Sequence, residues 1–136
     1  MRIQAIATIC SVVLTTACTP IKIELASSFT TSNKNLAIGK RTVTTQFKSD
    51  DTINFYSDFK WEDLSKPAGR KIVVWNWYSE NGKLVSTAKR NYYFNEPPFE
   101  LRSSRAASAL GLGKFKVEIV VDEQVMASQE FEISKD

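Results

Sequence analysis

Any chemistry in this chain has to be done by carboxylates, hydroxyls, amines and aromatic rings, because none of its 136 residues is a histidine. Both cysteines, Cys10 and Cys18, fall within the first eighteen residues. Without an imidazole or thiol in the body of the chain, the common nucleophile–base pairs and nearly all zinc sites are out of reach, so no metal and no cofactor is expected. The five glycines are scattered, and none makes the spacing of a phosphate loop or a dinucleotide fingerprint. A carboxylate pair or a Ser–Lys couple is what remains to an enzyme. Three acidic doublets qualify: Asp50-Asp51, Glu62-Asp63 and Asp122-Glu123. Each lies in a polar, turn-like stretch where such groups ordinarily meet water. Glycoside hydrolysis needs two carboxyls facing one another across a cleft, and a calcium loop needs a denser run of alternating oxygen ligands. A carboxylate-dependent hydrolase therefore ranks below a binding function.

The thiol of Cys18 is the sharpest chemical feature. Arg2 precedes an apolar run from Ile3 to Leu14, too short to span a bilayer, where about 20 apolar residues are needed. A charged start, a short apolar core and small residues before a cleavage point describe a removable signal. The sequence Leu14-Thr15-Thr16-Ala17-Cys18 resembles the lipobox of bacterial lipoproteins, although Leu lies four positions before the Cys where that motif usually has it at three. The resemblance implies a diacylglycerol on the Cys18 thiol, cleavage just before it and acylation of the freed amine. It also implies residence in the bacterial envelope. Thr19 stands where many lipoproteins kept at the inner membrane have Asp, so the outer membrane, facing the periplasm, is the expected address. A competing cut near Thr15 to Ala17 would leave a soluble periplasmic protein.

With 1–17 read as a lipoprotein signal peptide, Cys10 leaves and Cys18 is blocked, so the fold must stand without disulfides. Roughly 118 residues follow Cys18, enough for one ordinary domain. Removing Arg2 leaves 17 of the 18 basic residues against 15 acidic ones. So even a balance gives no electrostatic case for nucleic acid or for a polybasic membrane surface.

These groups have to be positioned by strands. Residues 18–40 read as a lipidated N-terminus and linker: Ile21 to Leu25 alternate as a short strand, and Ala26 to Lys40, rich in Ser, Thr and Asn, read as a linker or a long loop, the two together letting the body stand off the membrane. The folded domain is expected at 41–136, with period-2 patterning throughout. Val43, Thr45 and Phe47 share one side of a strand; Ile53, Phe55, Phe59 and Trp61 share one side of the next. Arg70 to Tyr78 is apolar on both sides, as for a central strand covered on each face. Asn81-Gly82 signals a two-residue type I′ hairpin, whose register sets Trp77 opposite Ser86 and Trp75 opposite Ala88. Arg105 to Leu110 reads as one helical turn. Phe115, Val117, Ile119 and Val121, turned at Asp122 to Gln124 into Val125, Ala127, Phe131 and Ile133, read as a half-buried hairpin.

About seven short strands, a Trp-bearing central strand and a terminal hairpin read as an all-β antiparallel sandwich. The ending from Gly113 to Asp122, followed by Phe131-Glu132-Ile133, resembles the last two strands of immunoglobulin-like domains in bacterial envelope proteins. Trp75 or Trp77 then resembles their core Trp. That likeness implies a fold and no particular activity.

Two groupings are candidate sites. Trp75, Trp77 and Tyr92, with Arg90 on the same face by the hairpin register, make either a packed core or a recognition surface. Arg70, Lys71, Lys89, Arg90, Arg102 and Arg105 could gather against an anionic partner, or simply protect strand edges. The expected function is a membrane-anchored envelope lipoprotein that binds a protein partner without catalysis. A periplasmic inhibitor or glycan-binding lipoprotein using the aromatic surface is the alternative.

Overall fold

The computed structural model describes residues 21–34 and 42–135; the signal segment 1–17 and Cys18 lie outside them. The described elements run β1 (Glu24–Ser32), β2 (Thr42–Val43), β3 (Gln46–Lys48), β4 (Thr52–Lys60), β5 (Gly69–Ser79), β6 (Leu84–Phe94), β7 (Phe99–Ala106), α1 (Ala107–Leu110), β8 (Gly113–Val121) and β9 (Gln124–Ser134). They form a four-stranded sheet in the order β2-β1-β4-β7 and a five-stranded sheet in the order β3-β9-β8-β5-β6. The pairing is antiparallel except for β3, which runs parallel to β9. This is an immunoglobulin-like β-sandwich: β1, β4 and β7 stand as A, B and E, and β5, β6, β8 and β9 as C, C′, F and G.

The first surprise lies in the Ser/Thr-rich stretch. Ala26 to Ser32 is no spacer; it is most of β1, paired with β4 from Glu24↔Lys60 to Ser32↔Ile53 around one bulge at Ala26. Its hydroxyls find partners inside the fold, so polarity does not exclude burial. The Thr30 hydroxyl donates to the Thr44 carbonyl at 2.6 Å, and the Ser32 hydroxyl to Asp51 Oδ1 at 2.8 Å. The sandwich therefore begins well before residue 41. Nor do Val43, Thr45 and Phe47 share a strand. The chain leaves the four-stranded sheet after Val43 and joins the five-stranded one at Gln46, which buries Phe47 against Phe131.

The alternation of β4 is as expected, with Ile53, Phe55, Ser57 and Phe59 inward and Trp61 buried just beyond. β5 is central, between β6 and β8, but is covered on one face only: Val73, Trp75 and Trp77 are buried, while Ile72 on the opposite face is 43% exposed. The predicted pairs Trp75↔Ala88 and Trp77↔Ser86 are both formed. The turn differs. Its loop is Glu80-Asn81-Gly82, closed by the Gly82 N–H on the Ser79 carbonyl, and Gly82 alone takes positive φ, +82°. A register shift beyond Trp77 absorbs the extra residue. A two-residue turn with positive φ at both positions occurs instead at Asp122 (45°) and Glu123 (70°). Asp122 is held there by the β5 backbone: its N–H donates to the Ile72 carbonyl, and its Oδ1 accepts the Ile72 N–H, both at 2.9 Å.

One inward position breaks the apolar rule without compensation. Ser57 is buried opposite Ser28 and Leu101, and its hydroxyl has no hydrogen-bond partner among the described residues. An unpaired buried hydroxyl costs about 1–3 kcal/mol on mutational scales. Ser57→Ala is expected to raise the unfolding free energy by about 1 kcal/mol, read as a higher urea midpoint at unchanged slope; a lower midpoint would show that the hydroxyl is satisfied in solution.

Candidate functional site

The four residues expected to form one surface are distributed from the core to the solvent. Trp75 is 2% exposed and meets Tyr92 edge-on at 6.1 Å; Trp77 is 0% exposed and packs edge-on against Phe131 at 5.9 Å. Neither indole face can be reached by a partner. Tyr92 is half-buried between Trp75 and Phe99. Arg90 does point inward, directly opposite Val73, and is nevertheless exposed. No slip of register is needed, because β6 is the edge strand of its sheet and Arg90 reaches the open side, where its Nη1 donates to the Lys89 carbonyl at 2.8 Å.

The basic residues do not gather either. Lys71 turns inward near Asp122, with its side chain 10% exposed and its Nζ 3.9 Å from Oδ2. Arg70 lies over the Tyr93 ring, and Arg102 stands on the outer face of the other sheet, opposite Tyr56. Arg105 closes the core. Its guanidinium sits 5.5 Å from the Trp77 ring centroid, Nε donates to the Ser86 hydroxyl at 2.7 Å, and Nη1 to the Ser104 carbonyl at 2.7 Å. The two edge strands β6 and β7 are thereby tied across the open side of the sandwich.

Each acidic doublet has at least one member engaged in holding a turn or strand end. Asp51 is 6% exposed; it accepts the Ser32 hydroxyl and the Lys48 N–H, locking the end of β1 to the β3–β4 turn. Lys34 pairs with Asp50 and, through the hydrogen bond it donates, holds that carboxyl below the ordinary carboxylate range. Ser65 does the same for Asp63, through its hydroxyl and then its backbone N–H. Among the described residues, no group of three or more Asp, Glu, His or Cys could hold a metal ion.

What sequence reasoning passed over is the outer face of the five-stranded sheet. Its centre is a chain of hydrogen bonds across three strands: the Thr87 hydroxyl donates to Asn76 Oδ1 at 2.8 Å, and Asn76 Nδ2 and the Tyr78 hydroxyl both donate to Glu118 Oε2, at 3.2 and 3.1 Å. Burial first, then that bond to Glu118, pushes the Tyr78 phenol above its usual pKa. On one side of this centre lies a shallow depression of about 560 Å³ lined by Ile72, Val74 and Val120 together with Asn76, Lys89, Asp122 and Glu123. On the other lies a groove of about 550 Å³, where Lys114 and Lys116 of β8 stand in register with Glu132 and Glu130 of β9. Among the described residues these four charges form no ion pair; Lys116 lies over the Tyr78 ring at 5.3 Å. The polar side of β8 was visible as Lys-Lys-Glu alternation. Its meeting with Glu130 and Glu132 follows only from the hairpin register.

No protein-family profile and no curated protein matches the chain. Solved structures share its fold. The alkylpurine DNA glycosylase AlkC of Pseudomonas fluorescens, bound to DNA containing an abasic-site analogue, aligns over 91% of this chain and 33% of its own, at 12% identity and TM-score 0.58. A glycosyl hydrolase family 2 member of Bacteroides cellulosilyticus aligns over 82% of this chain and 15% of its own, at 12% identity and TM-score 0.53. An immunoglobulin-like protein of Pseudomonas aeruginosa aligns over 85% and 95%, at 9% identity and TM-score 0.42. The chain thus spans about a third of the glycosylase and far less of the hydrolase. At 12% identity the likeness to the glycosylase and the hydrolase is one of fold.

Because Arg105 covers Trp77 as well as bridging the two edges, Arg105→Ala is expected to cost about 1–2 kcal/mol of stability. It should also shift tryptophan emission to longer wavelength, with Arg105→Lys intermediate. An unchanged emission maximum would mean that Trp77 does not depend on the guanidinium for its cover.

Proposed function

We infer that the chain is a membrane-anchored envelope lipoprotein, held by lipid on Cys18, whose sandwich binds another envelope protein through the outer face of the five-stranded sheet and catalyses nothing. The observation that carries this reading is the makeup of that face. An internally satisfied polar centre is flanked by partly apolar surface and by two lysines and two glutamates that form no ion pair among the described residues, Lys116 lying over the Tyr78 ring. Such a face can exclude water at its apolar part and set orientation by its charges. The glycan-binding alternative loses its main support with Trp75 and Trp77 buried, since neither ring can stack on a sugar. Hydrolysis by a carboxylate pair is disfavoured because the acidic doublets are engaged in turns and strand ends. The outer membrane, facing the periplasm, is the proposed address by likeness of the Leu14 to Cys18 segment to a lipobox, with Thr19 following it.

Two measurements test this. Labelled palmitate should enter the native chain and not Cys18→Ser, and only the native chain should fractionate with membranes; a soluble, unlabelled native chain sinks the anchor. A photo-crosslinking residue placed at Lys116 should trap one discrete envelope protein in living cells, whereas one at Arg102, on the other sheet, should not. Equal trapping at both positions would remove the five-stranded face from the proposal.

A further inference from the structure

We propose that the sandwich rests end-on upon the lipid surface that holds Cys18, with Leu64 at the tip of the β4–β5 loop seated among the headgroups. This rests on the lipid anchor inferred above. It begins from the length of chain between anchor and body. Ile21 and Ile23 already pack, partly buried, against the core, and β1 starts at Glu24. Thr19 and Pro20 alone separate Cys18 from Ile21. Three residue steps span at most roughly 11 Å even when fully extended. The body has no spacer and is confined against the membrane.

Strand direction then decides which end faces the lipid. β1 enters at the end where Glu24 pairs with Lys60 at the close of β4 and where Phe59 pairs with Phe99 at the start of β7. In the other sheet, β5 begins and β6 finishes at this same end, where Gly69 pairs with Phe94, and Phe94 meets Phe99 across the sandwich at 4.4 Å. The loop of residues 61–68, the Pro97-Pro98 connection and the Asp122-Glu123 turn all lie here. The Glu80-Asn81-Gly82 loop, α1 and the end of β9 lie at the opposite end.

Leu64 is 73% exposed, the most exposed large apolar side chain among the described residues. Its loop is organised and not slack. Trp61 is buried and its Nε1 donates to the Lys66 carbonyl at 2.8 Å, the Lys66 N–H bonds the Asp63 carbonyl at 3.3 Å, and Asp63 Oδ1 accepts the Ser65 N–H at 3.0 Å. One leucine could not bind a free protein to lipid. The short tether raises the local concentration of membrane enough that it need not. Lys22, Lys60, Lys66, Arg70 and Lys71 at this end stand against Glu24, Glu62, Asp63, Glu96, Asp122 and Glu123, so no excess of positive charge draws it to an anionic surface; the contact is apolar and should not weaken as salt is added.

The lipidated chain carrying Leu64→Cys offers one free thiol for an environment-sensitive dye, since Cys10 leaves with the signal and Cys18 is acylated. In phosphatidylethanolamine–phosphatidylglycerol vesicles with spin-labelled lipid, the dye at 64 is expected to be quenched several-fold more than one at Asn81→Cys, at the far end. Insertion of a long Gly/Ser linker between Thr19 and Pro20 is expected to abolish that difference. Flotation of the same samples separates the two failures. Protein that does not float overturns the anchor and this orientation with it; protein that floats but is quenched equally at 64 and 81 overturns the orientation alone.

Discussion

The sandwich is built around the space that two indoles require. Trp75 and Trp77 lie two residues apart on one face of β5, and aromatic side chains of this size bring roughly 150–250 Å² each into the core. Their neighbours are sized accordingly. Ala88 and Ser86 stand opposite them on the edge strand β6, and Ile119 and Val117 on β8, where a second pair of aromatic rings would leave no room. The same constraint shapes the open side. Small residues on β6 leave the Trp77 ring short of cover, and Arg105 from the facing sheet supplies it while bonding Ser86. Arg90, also aimed inward from an edge strand, occupies its neighbour's carbonyl. Inward arginines on both long edges discourage further strand pairing there, so one pair of residues serves core cover and edge protection together.

Legibility in the sequence follows this dependence. The β5–β6 register could be read from Asn81-Gly82 because the turn lies close to the pairs it sets; the longer loop and the bulge beyond Trp77 cancel, and Trp75 still faces Ala88. The β8–β9 hairpin could be read because alternation is strict on β8 and holds on β9 from Ala127 onward; a register shift between Ile119 and Val120 sets Val125, expected on the inner side, opposite Val120 and leaves it 55% exposed. β1 could not. A run of Ser and Thr looks like a linker until its hydroxyls have partners, and those partners, Thr44 and Asp51, belong to segments over a dozen residues away. The crossing between Val43 and Gln46 was invisible for the same reason, since alternation passes through it unbroken while the chain changes sheets. The positive φ of Asp122 and Glu123 also has a nonlocal cause in the Ile72 backbone, which grips Asp122 from β5.

The candidate site shows the opposite bias. Large aromatics drew attention because they are strong recognition groups, yet their size is also why the core keeps them. The outer face is made of ordinary residues, and its character appears only when strands are placed side by side. Glu118 reads as one exposed acid in an alternating strand; it becomes the hub of a network because Asn76 and Tyr78 lie on the adjacent strand in register. Lys114 and Lys116 read as solubilising charges and become one wall of a groove through Glu132 and Glu130.

Placing β1 inside the fold also changes how an anchored form of this chain would work. A spacer of fifteen or so residues would let the body tumble over tens of ångströms, and its binding face would meet partners at any height. With the chain packed from Ile21 onward, lipid on Cys18 would fix both height and direction. The long axis of the strands would then stand away from the membrane. In that form the depression by Ile72 and Val120 would sit low on the outer face, and the charged groove by Lys114 and Glu132 would sit high, toward the end that bears the Glu80-Asn81-Gly82 loop. The strand that composition disguises as a linker is therefore the element that would convert a lipid attachment into an oriented surface.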